Sequence, residues 1–320
     1  MDDSAENPDV PSVAVAGPAS LDMTLCQGSL GGIGGQARDS YSPETMVPLQ
    51  RPVELLLGGN GGAAAYVLGM LGVSVRLNAP IGSGDDAGLV HGWLKEANVT
   101  VVAPPAASTM FALTPVDEHG NRLGCLQYPS PPIDWMRSAR DDRASWLLIA
   151  ANSLIEAEAL PQVSEALAHF RSRGGATVLD TGIGWMQTID GEQMRRVWGH
   201  VDLLVGTLDE LRYWSKLEKP EAIGRLALEL GVRRVVIKMG PDGAGWVDEK
   251  GVYTWQSARR LERRGVSVGA GDGFNGAMIS RLACGASLEA AVGFAQTVAT
   301  KIVEVGRGVI GWGRQWEKTV

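Results

Sequence analysis

A single aspartate stands between glycines at a point where an apolar stretch gives way to a helix pattern. Residues 266–277 read VSVGAGDGFNGA, and Asp272 is the acidic residue among them. Residues 265–268 have strand character, and apolar residues then recur at helical spacing, at Phe274, Ala277, Met278 and Leu282. The first N–H groups of such a helix have no partner within the helix, and a turn of small residues leaves them accessible to an anion.

The aspartate and the amide turn together suit one kind of chemistry. A carboxylate beside an anion site is placed to take a proton from an attacking hydroxyl, while the amides stabilise the charge that develops. This combination suits phosphoryl transfer to an alcohol. The alternative is that Asp272 only caps the helix, and these residues alone do not separate the two interpretations.

Alternating strand and helix patterns surround this segment and must position it. The predicted strands include 146–149, 176–179, 201–205 and 234–237, and the predicted helices include 156–170, 220–230 and 288–305. Strands that alternate with helices pair in parallel and form a sheet that is covered on both faces. Residues 111–116 and 123–128 instead predict two strands joined by a polar turn, which indicates a separate sheet.

The segment GAGDGFNGA at 269–277 resembles the second signature of the PfkB/ribokinase family of carbohydrate kinases. Other landmarks of that family occur in the same order along the chain. They are GPASLD at 17–22, GGNGG at 58–62, LGVSV at 71–75, IGSGDDAG at 81–88, Asp180 at a strand end, Glu210 at the end of an NxxE-like motif and KMGPDG at 238–243. The resemblance covers nearly the whole chain, from about residue 13 to residue 308.

The resemblance implies a fold and its boundaries. The expected architecture is α/β, a three-layer α/β/α ribokinase-like fold with a mostly parallel central sheet and a small β-sheet lid. We expect a disordered tail at residues 1–12 and a kinase domain at 13–320, with lid strands from about 13–57 and 99–130. Because members of this family often pair through the lid, a homodimer is the corresponding expectation for assembly.

The resemblance also implies catalytic and metal roles. Asp272 would be the general base, and the anion hole would be formed by the turn at Gly269, Ala270 and Gly271. Glu210 would act on magnesium indirectly, through the water molecules of the ion, and Thr207 occupies the asparagine position of the same motif. ATP and Mg²⁺ are the cofactors that the resemblance implies.

Two further groups of residues would bind the reactants. The nucleotide site would be lined by Lys238, Gly240, Gly243 and Gln296. The phosphate acceptor would be met by Asp22, Gly58, Gly59 and Asn60. The acceptor that the resemblance implies is a hydroxyl of a sugar or of a sugar-like small molecule.

Some positions depart from the family pattern. Ser267 stands where the family has an aspartate that is linked to a monovalent-cation site, so we expect weak or absent activation by potassium. Thr207 replaces an asparagine, and a hydroxyl is a shorter hydrogen-bonding group than an amide. Ala63 replaces the asparagine that ends the GGxxxN motif. Because Asp272 and its turn are retained, we expect an active kinase with an unusual acceptor.

Other functions remain open at this stage. The chain could be a nucleoside or vitamin kinase on the same scaffold, or a catalytically weak paralogue that binds ligand. Nicotinamide binding fits poorly, because the glycines at 58–62 do not give GxGxxG after a strand. The basic run RRLERR at 259–264 could steer ATP by charge, although a solvated loop is the commoner explanation.

Composition limits the partners. The chain has 320 residues and a formal net charge of −7, so a basic surface for nucleic acid is not expected. Its three cysteines are far apart and form no CxxC pair, which argues against a zinc site. No apolar run approaches the roughly 20 residues that a membrane span needs. Together with an acidic start (MDDSAENPDV), these features predict a cytoplasmic protein that binds small molecules.

Overall fold

The computed structural model describes residues 10–26, 52–117, 123–150, 157–182, 189–261 and 265–316. Its strands, in chain order, are β1 (Ser12–Ala16), β2 (Ser20–Cys26), β3 (Glu54–Gly58), β4 (Ser74–Asn78), β5 (Val99–Val101), β6 (Met110–Val116), β7 (Leu126–Tyr128), β8 (Trp146–Ala150), β9 (Ala176–Asp180), β10 (Leu203–Thr207), β11 (Arg234–Lys238), β12 (Ala244–Val247) and β13 (Tyr253–Gln256).

The helices come mostly from the amphipathic segments between the strands. In chain order they are α1 (Asn60–Met70), α2 (Asp85–Glu96), α3 (Trp135–Ala139), α4 (Leu160–Ser172), α5 (Gly191–Trp198), α6 (Leu208–Ser215), α7 (Pro220–Glu229), α8 (Ala270–Ala283), α9 (Leu288–Val305) and α10 (Gly308–Trp316).

Nine strands form the large central sheet. Their order is β13-β12-β11-β10-β9-β8-β1-β4-β5. The seven strands from β5 to β11 in this order pair in parallel, and β12 and β13 are antiparallel at one edge. The parallel strands are continuous apolar runs such as WLLIA and RVVI, as expected for strands that are buried on both faces.

Each face of the central sheet is covered by its own hydrophobic core. Successive residues of β1 point to opposite faces, so that Val13 and Val15 enter one core and Ala14 and Ala16 enter the other. The first core contains residues of α1, α2, α8, α9 and α10, and the second contains residues of α3 to α7. The result is a three-layer α/β/α architecture.

The small sheet, which we call the lid, has four strands in the order β3-β2-β6-β7. The central pair β2–β6 is parallel, and both outer pairs are antiparallel. Because paired residues share a face, Asp22 lies on the same face as Leu56 and Ala112. The opposite face is formed by Leu21, Met23 and Leu25 with their paired neighbours on the other strands.

The predicted fold class is confirmed, and several boundaries differ. Ser12–Ala16 and Val99–Val101 pair in the central sheet, so the lid strands begin later in both expected ranges. Ser12 is the first residue of β1, so the tail expected at residues 1–12 ends before Ser12. Residues 1–9 and 27–51 lie outside the described residues. The strand expected at 265–268 reduces to one isolated bridge between Val266 and Arg307.

Candidate active site

The site lies at the carboxyl ends of neighbouring parallel strands of the central sheet. Asp180 is the last residue of β9, Thr207 of β10 and Lys238 of β11. Because adjacent parallel strands end at the same edge, these polar side chains gather there even though each follows a buried apolar run.

Helix α8 brings Asp272 and the small-residue turn to this edge. Gly269 precedes the helix in the left-handed region, with φ 78°, a conformation that favours glycine. The N–H of Gly273 donates to the carbonyl of Gly269 at 2.8 Å, so helical bonding starts directly after the turn. Asp272 therefore stands in the first turn of α8 and is half-buried, while Gly271 is exposed. The carboxylate thus stands beside the small-residue turn, but the Ala270 N–H, which the sequence placed in the anion hole, donates to the carbonyl of Ser267 at 3.2 Å.

Lys238 lies at the centre of a buried polar network. Its Nζ donates to Oδ1 of Asp180 at 3.3 Å and to Oδ1 of Asn275 at 3.2 Å. Asn60 donates from Nδ2 to Oδ2 of Asp180 at 3.2 Å, so one aspartate joins the start of α1 to the end of β11. Burial lowers the pKa of the Lys238 ammonium, but Asp180, Glu210 and Asp272 attract the charge and raise the pKa overall.

Glu210 and Thr207 are tied together as a capping box at the start of α6. The Thr207 hydroxyl accepts from the Glu210 N–H at 3.3 Å, and Oε2 of Glu210 accepts from the Thr207 N–H at 2.8 Å. Oε2 also accepts from the Thr181 hydroxyl at 3.0 Å. Burial, and to a lesser degree the charge of Asp180, raises the pKa of Glu210, against the opposing pull of Lys238.

A cavity of about 830 Å³ opens beside the turn. All four residues predicted for the nucleotide site line it: Lys238, Gly240, Gly243 and Gln296. It also contacts residues of the turn region, Ser267, Ala270 and Gly271. Gln296 is fixed at the wall because its Nε2 donates to the carbonyl of Gln256 at 2.9 Å.

Part of the basic run identified in the sequence also reaches this cavity. Arg259 and Arg260 are among its lining residues, so two positive charges face the volume next to the amide turn. Residues 262–264 of the run lie outside the described residues. The position of the two arginines is compatible with an anionic ligand in the cavity.

The residues predicted for the acceptor lie where the lid meets the central sheet. A Cβ at Gly58 would collide with the carboxylate of Asp22, so any larger residue here would displace that carboxylate. Ser20 donates from its hydroxyl to Oδ1 of Asp22 at 2.6 Å. Gly59 has φ 73° and directly precedes α1. The first residue of α1, Asn60, donates a hydrogen bond to Asp180. Ala63 is fully buried in the core under the sheet.

The Asp22 face of the lid is directed at the turn that precedes α8. Leu56 pairs with Asp22 across β3 and β2 and therefore lies on the same face. A Cβ built on Gly308 would lie 3.6 Å from Cδ2 of Leu56 and 3.6 Å from the carbonyl oxygen of Val268. Lid and turn thus meet through the start of α10.

The sequence reasoning missed two members of this site. Asn275 was not singled out, although it follows Asp272 by three residues on a helix and must share its face. Asp180 was noted only as a strand end, and its bonds to Asn60 and Lys238 depend on tertiary structure. Within the described ranges, no group of three or more His, Cys, Asp or Glu side chains could hold a metal ion. Nor does any helix there have the length and apolar character for crossing a bilayer.

The two sheets and the site between them define a ribokinase-like α/β protein. Similar solved structures include a ribokinase of Arabidopsis thaliana complexed with ribose and ATP, with a TM-score of 0.75 and 20% identity over 97% of this chain and 98% of that chain. A ribokinase of Thermotoga maritima has a TM-score of 0.71 and 21% identity over 96% and 99%. An adenosine kinase of Sinorhizobium meliloti has a TM-score of 0.73 and 14% identity over 97% and 99%.

Sequence comparison gives the family. Residues 35–310 match the model of the pfkB family of carbohydrate kinases, and the chain belongs to this family. No curated protein matches the chain by sequence. The predicted family and fold class are therefore confirmed.

Proposed function

We propose that this protein transfers the γ-phosphoryl group of ATP to a hydroxyl of a sugar or sugar-like small molecule. The observation that carries the proposal is the position of Asp272 in the first turn of α8, beside an exposed amide turn that opens onto the cavity. Membership of the pfkB family supports the reaction class. A helix cap alone would account for the carboxylate but not for the cavity lined by Lys238, Gly240 and Gly243.

The residues of the site can be assigned to the steps of the proposed transfer. The acceptor hydroxyl gives its proton to the Asp272 carboxylate as its oxygen forms a bond to the γ-phosphorus. The bond between that phosphorus and the oxygen bridging to ADP breaks at the same time, and ADP leaves. The N–H of the exposed Gly271, at the start of α8, donates to the phosphoryl oxygens, where negative charge is concentrated.

The residues present fit a magnesium ion held mainly by the nucleotide. Mg²⁺ usually keeps several waters and is bound through one or two carboxylates and substrate phosphates. The bonds that fix the Glu210 carboxylate end on Oε2, so its Oε1 is the oxygen suited to accept from a metal-bound water. The ion would neutralise phosphate charge, and Glu210 would orient its water shell. Thr207 would contribute through the capping box rather than as a ligand.

The polar face of the lid favours an acceptor that is rich in hydroxyl groups. Ser20, Asp22, Thr24 and their paired neighbour Thr114 are on this face and are buried. A carboxylate and hydroxyls can accept from and donate to sugar hydroxyls. The lid would also exclude water, which protects ATP from hydrolysis during transfer. A nucleoside is the second candidate, because an adenosine kinase shares the fold.

The test is acceptor-dependent release of ADP, measured with magnesium and a panel of sugars, sugar acids, polyols, nucleosides and vitamin alcohols. Asp272→Asn should reduce kcat on the best acceptor by about 10²- to 10⁴-fold, the usual contribution of a general base. Glu289→Gln is the matched control, because Glu289 is an exposed acid in the first turn of the neighbouring helix α9. This control should keep full activity.

Two results would contradict the proposal. If the folded protein releases no ADP with any acceptor of the panel, a ligand-binding paralogue becomes the better explanation. Full activity of Asp272→Asn would show that another group takes the proton. Selective turnover of nucleosides would retain the mechanism and replace the acceptor class.

A further inference from the structure

Lys238 combines deep burial with access to the cavity. It is the last residue of β11, its side chain is 11% exposed, and it nevertheless lines the volume beside the turn. A lysine in such a position is costly to bury unless its charge is paired. The partners of the Lys238 ammonium therefore indicate its role.

Two anchors from different elements fix the ammonium. Asp180 accepts at 3.3 Å from the end of β9, and Asn275 accepts at 3.2 Å from α8. Asn275 is one helical turn beyond Asp272, so the ammonium has a fixed position relative to the proposed base. Asp180 also accepts from Asn60, which fixes the same ammonium relative to the start of α1.

The ammonium also faces the anion turn. A Cβ built at Gly271 would lie 3.7 Å from Nζ of Lys238, which places the charge next to the amides of the turn. An ammonium group has three N–H donors. Within the described residues, Asp180 and Asn275 accept from two of them, which leaves one donor for a ligand in the cavity.

Electrostatics keeps this group charged when the reaction occurs. Burial lowers the pKa of Lys238, but the carboxylates of Asp180, Glu210 and Asp272 more than offset this and raise it above the ordinary value. Lys238 is therefore unsuited to accept the hydroxyl proton. A permanent positive charge beside amide donors is suited to an oxyanion.

We infer that Lys238 is a catalytic residue whose ammonium donates to a non-bridging oxygen of the phosphoryl group in transfer, with Asp180 and Asn275 as positioning residues. The inference rests on the proposed function and assigns a role beyond lining the nucleotide site. The proton of the acceptor still goes to Asp272, the bond to the bridging oxygen of ADP still breaks, and Lys238 keeps its protons throughout.

The inference predicts which kinetic constant changes. In phosphoryl transfer the catalytic contribution comes from contacts that strengthen in the transition state. Loss of Lys238 should therefore lower kcat and kcat/KM together, by about 10²- to 10³-fold as for loss of one oxyanion donor. Affinity for ADP should change less than about fivefold, because ADP lacks the group that the ammonium contacts.

The experiment compares Lys238→Met with a double variant, Lys238→Met/Asp180→Asn. The single change leaves the Asp180 carboxylate buried without its cation, which can prevent folding. The double variant removes both charges and should recover the unfolding midpoint but not kcat. A merely structural ion pair predicts instead that the double variant recovers both. Lys250→Met, at an exposed lysine in a turn, is the control and should leave kcat unchanged.

A binding measurement that needs no acceptor completes the test. Titration with ADP and with ADP plus aluminium fluoride, both with magnesium, compares a ground state with a mimic of the transferring phosphoryl group. The double variant should lose at least about 100-fold in affinity for the aluminium fluoride complex and little for ADP alone. Equal losses for the two ligands, or recovered kcat in the double variant, would overturn the role of Lys238. Absence of turnover in the wild-type protein would contradict only the proposed function, because the titration still measures the contact.

Discussion

Glu210 is a buried carboxylate whose ionisation costs folding free energy. Its pKa is raised by burial first and by Asp180 second, against the opposing effects of Lys238, Thr207 and Thr181. A folded-state pKa above the unfolded value stabilises the protein fully below the unfolded value, and the stabilisation is lost as pH rises through the folded value. The ionised form at neutral pH is therefore the less stable form of this site.

The first prediction concerns Glu210→Gln. Gln can accept the same bonds from Thr181 and Thr207 through its amide oxygen. The unfolding free energy of the variant, minus that of the wild type, should increase as pH rises from about 4 to 7, with each pKa unit of difference corresponding to about 1.4 kcal/mol. Urea unfolding across that pH range measures it.

The control for this prediction is Glu165→Gln, at an exposed position in the middle of α4. The same substitution there removes a carboxylate that folding leaves exposed, so its pH profile is the baseline for comparison. Parallel pH profiles for Glu210→Gln and the wild type would refute the assigned burial cost.

The sequence could predict functional residues that are neighbours along the chain. Asp272 and its turn are contiguous, so spacing alone pointed to an amide turn beside a carboxylate. The lysine network is different, because Asn60 and Asp180 are 120 residues apart and Lys238 belongs to a third element. No pattern along the chain encodes that contact, so Lys238 was predicted only as a lining residue and Asn275 was missed.

Helix α8 carries Asp272 and Asn275, and its position depends on close packing against α1. A Cβ at Gly276 would lie 2.5 Å from the carbonyl oxygen of Ala64 and 3.2 Å from Cβ of Val67. A backbone oxygen cannot rotate away as a side chain can, so one helix must move. Small residues along α1 serve the same close approach, since Ala63 and Ala64 are fully buried.

The second prediction is that Gly276→Ala separates the two helices. The free energy of unfolding should fall by about 1–3 kcal/mol, the usual cost of overpacking a core. Turnover should fall as well, because a displacement of about 1 Å at the base can cost about 10²-fold. Chemical unfolding and ADP release measure the two effects.

Gly88→Ala is the matched control for that substitution. Gly88 lies in α2, is exposed, and has no atom within 4 Å of a built Cβ. The control should stabilise the protein by roughly 0.5–1 kcal/mol, because glycine is a poor residue inside a helix. A stable, fully active Gly276→Ala would show that α8 is not fixed through this contact.

The elements themselves could largely be predicted, and their sheet membership could not. The helix at 288–305 and the strands that follow the apolar runs have the predicted positions, because periodicity is a property of the segment. Ser12–Ala16 and Val99–Val101 are also plain strands by composition. Pairing with distant strands decides which sheet each one joins. Ser12–Ala16 pairs with β4 and β8, and Val99–Val101 pairs with β4, so both belong to the central sheet and not to the lid.

At the scale of the whole molecule, the main surface feature is one face of the lid, which is apolar across all four strands. Ten residues share this face, in three cross-strand groups: Leu21, Leu57, Phe111 and Tyr128; Met23, Leu55, Leu113 and Leu126; and Leu25 with Pro115. Leu55, Leu126 and Tyr128 remain 41%, 67% and 57% exposed. A contiguous exposed apolar patch of this kind marks an interaction surface in a folded chain.

We propose that a second copy of this chain covers the face, so that two lids pack against each other about a two-fold axis. The same patch on both partners would then bury the same side chains twice. The opposite, polar face carries Asp22 and would remain available to the proposed acceptor, so dimerisation would stiffen the lid without occupying that site. The third prediction is that the wild-type protein sediments as a dimer at micromolar concentration.

The variant Leu126→Glu/Tyr128→Glu should raise the dimer dissociation constant by at least about 100-fold. Two large side chains contribute roughly 1.5 kcal/mol each when buried, every 1.4 kcal/mol is about tenfold, and symmetry repeats the loss. Leu89→Glu on α2, 42% exposed and outside the lid, is the control and should remain dimeric. Analytical ultracentrifugation over a concentration series separates the outcomes, because a wild-type monomer at every concentration, or a dimer unaffected by the two glutamates, would exclude the lid as the contact.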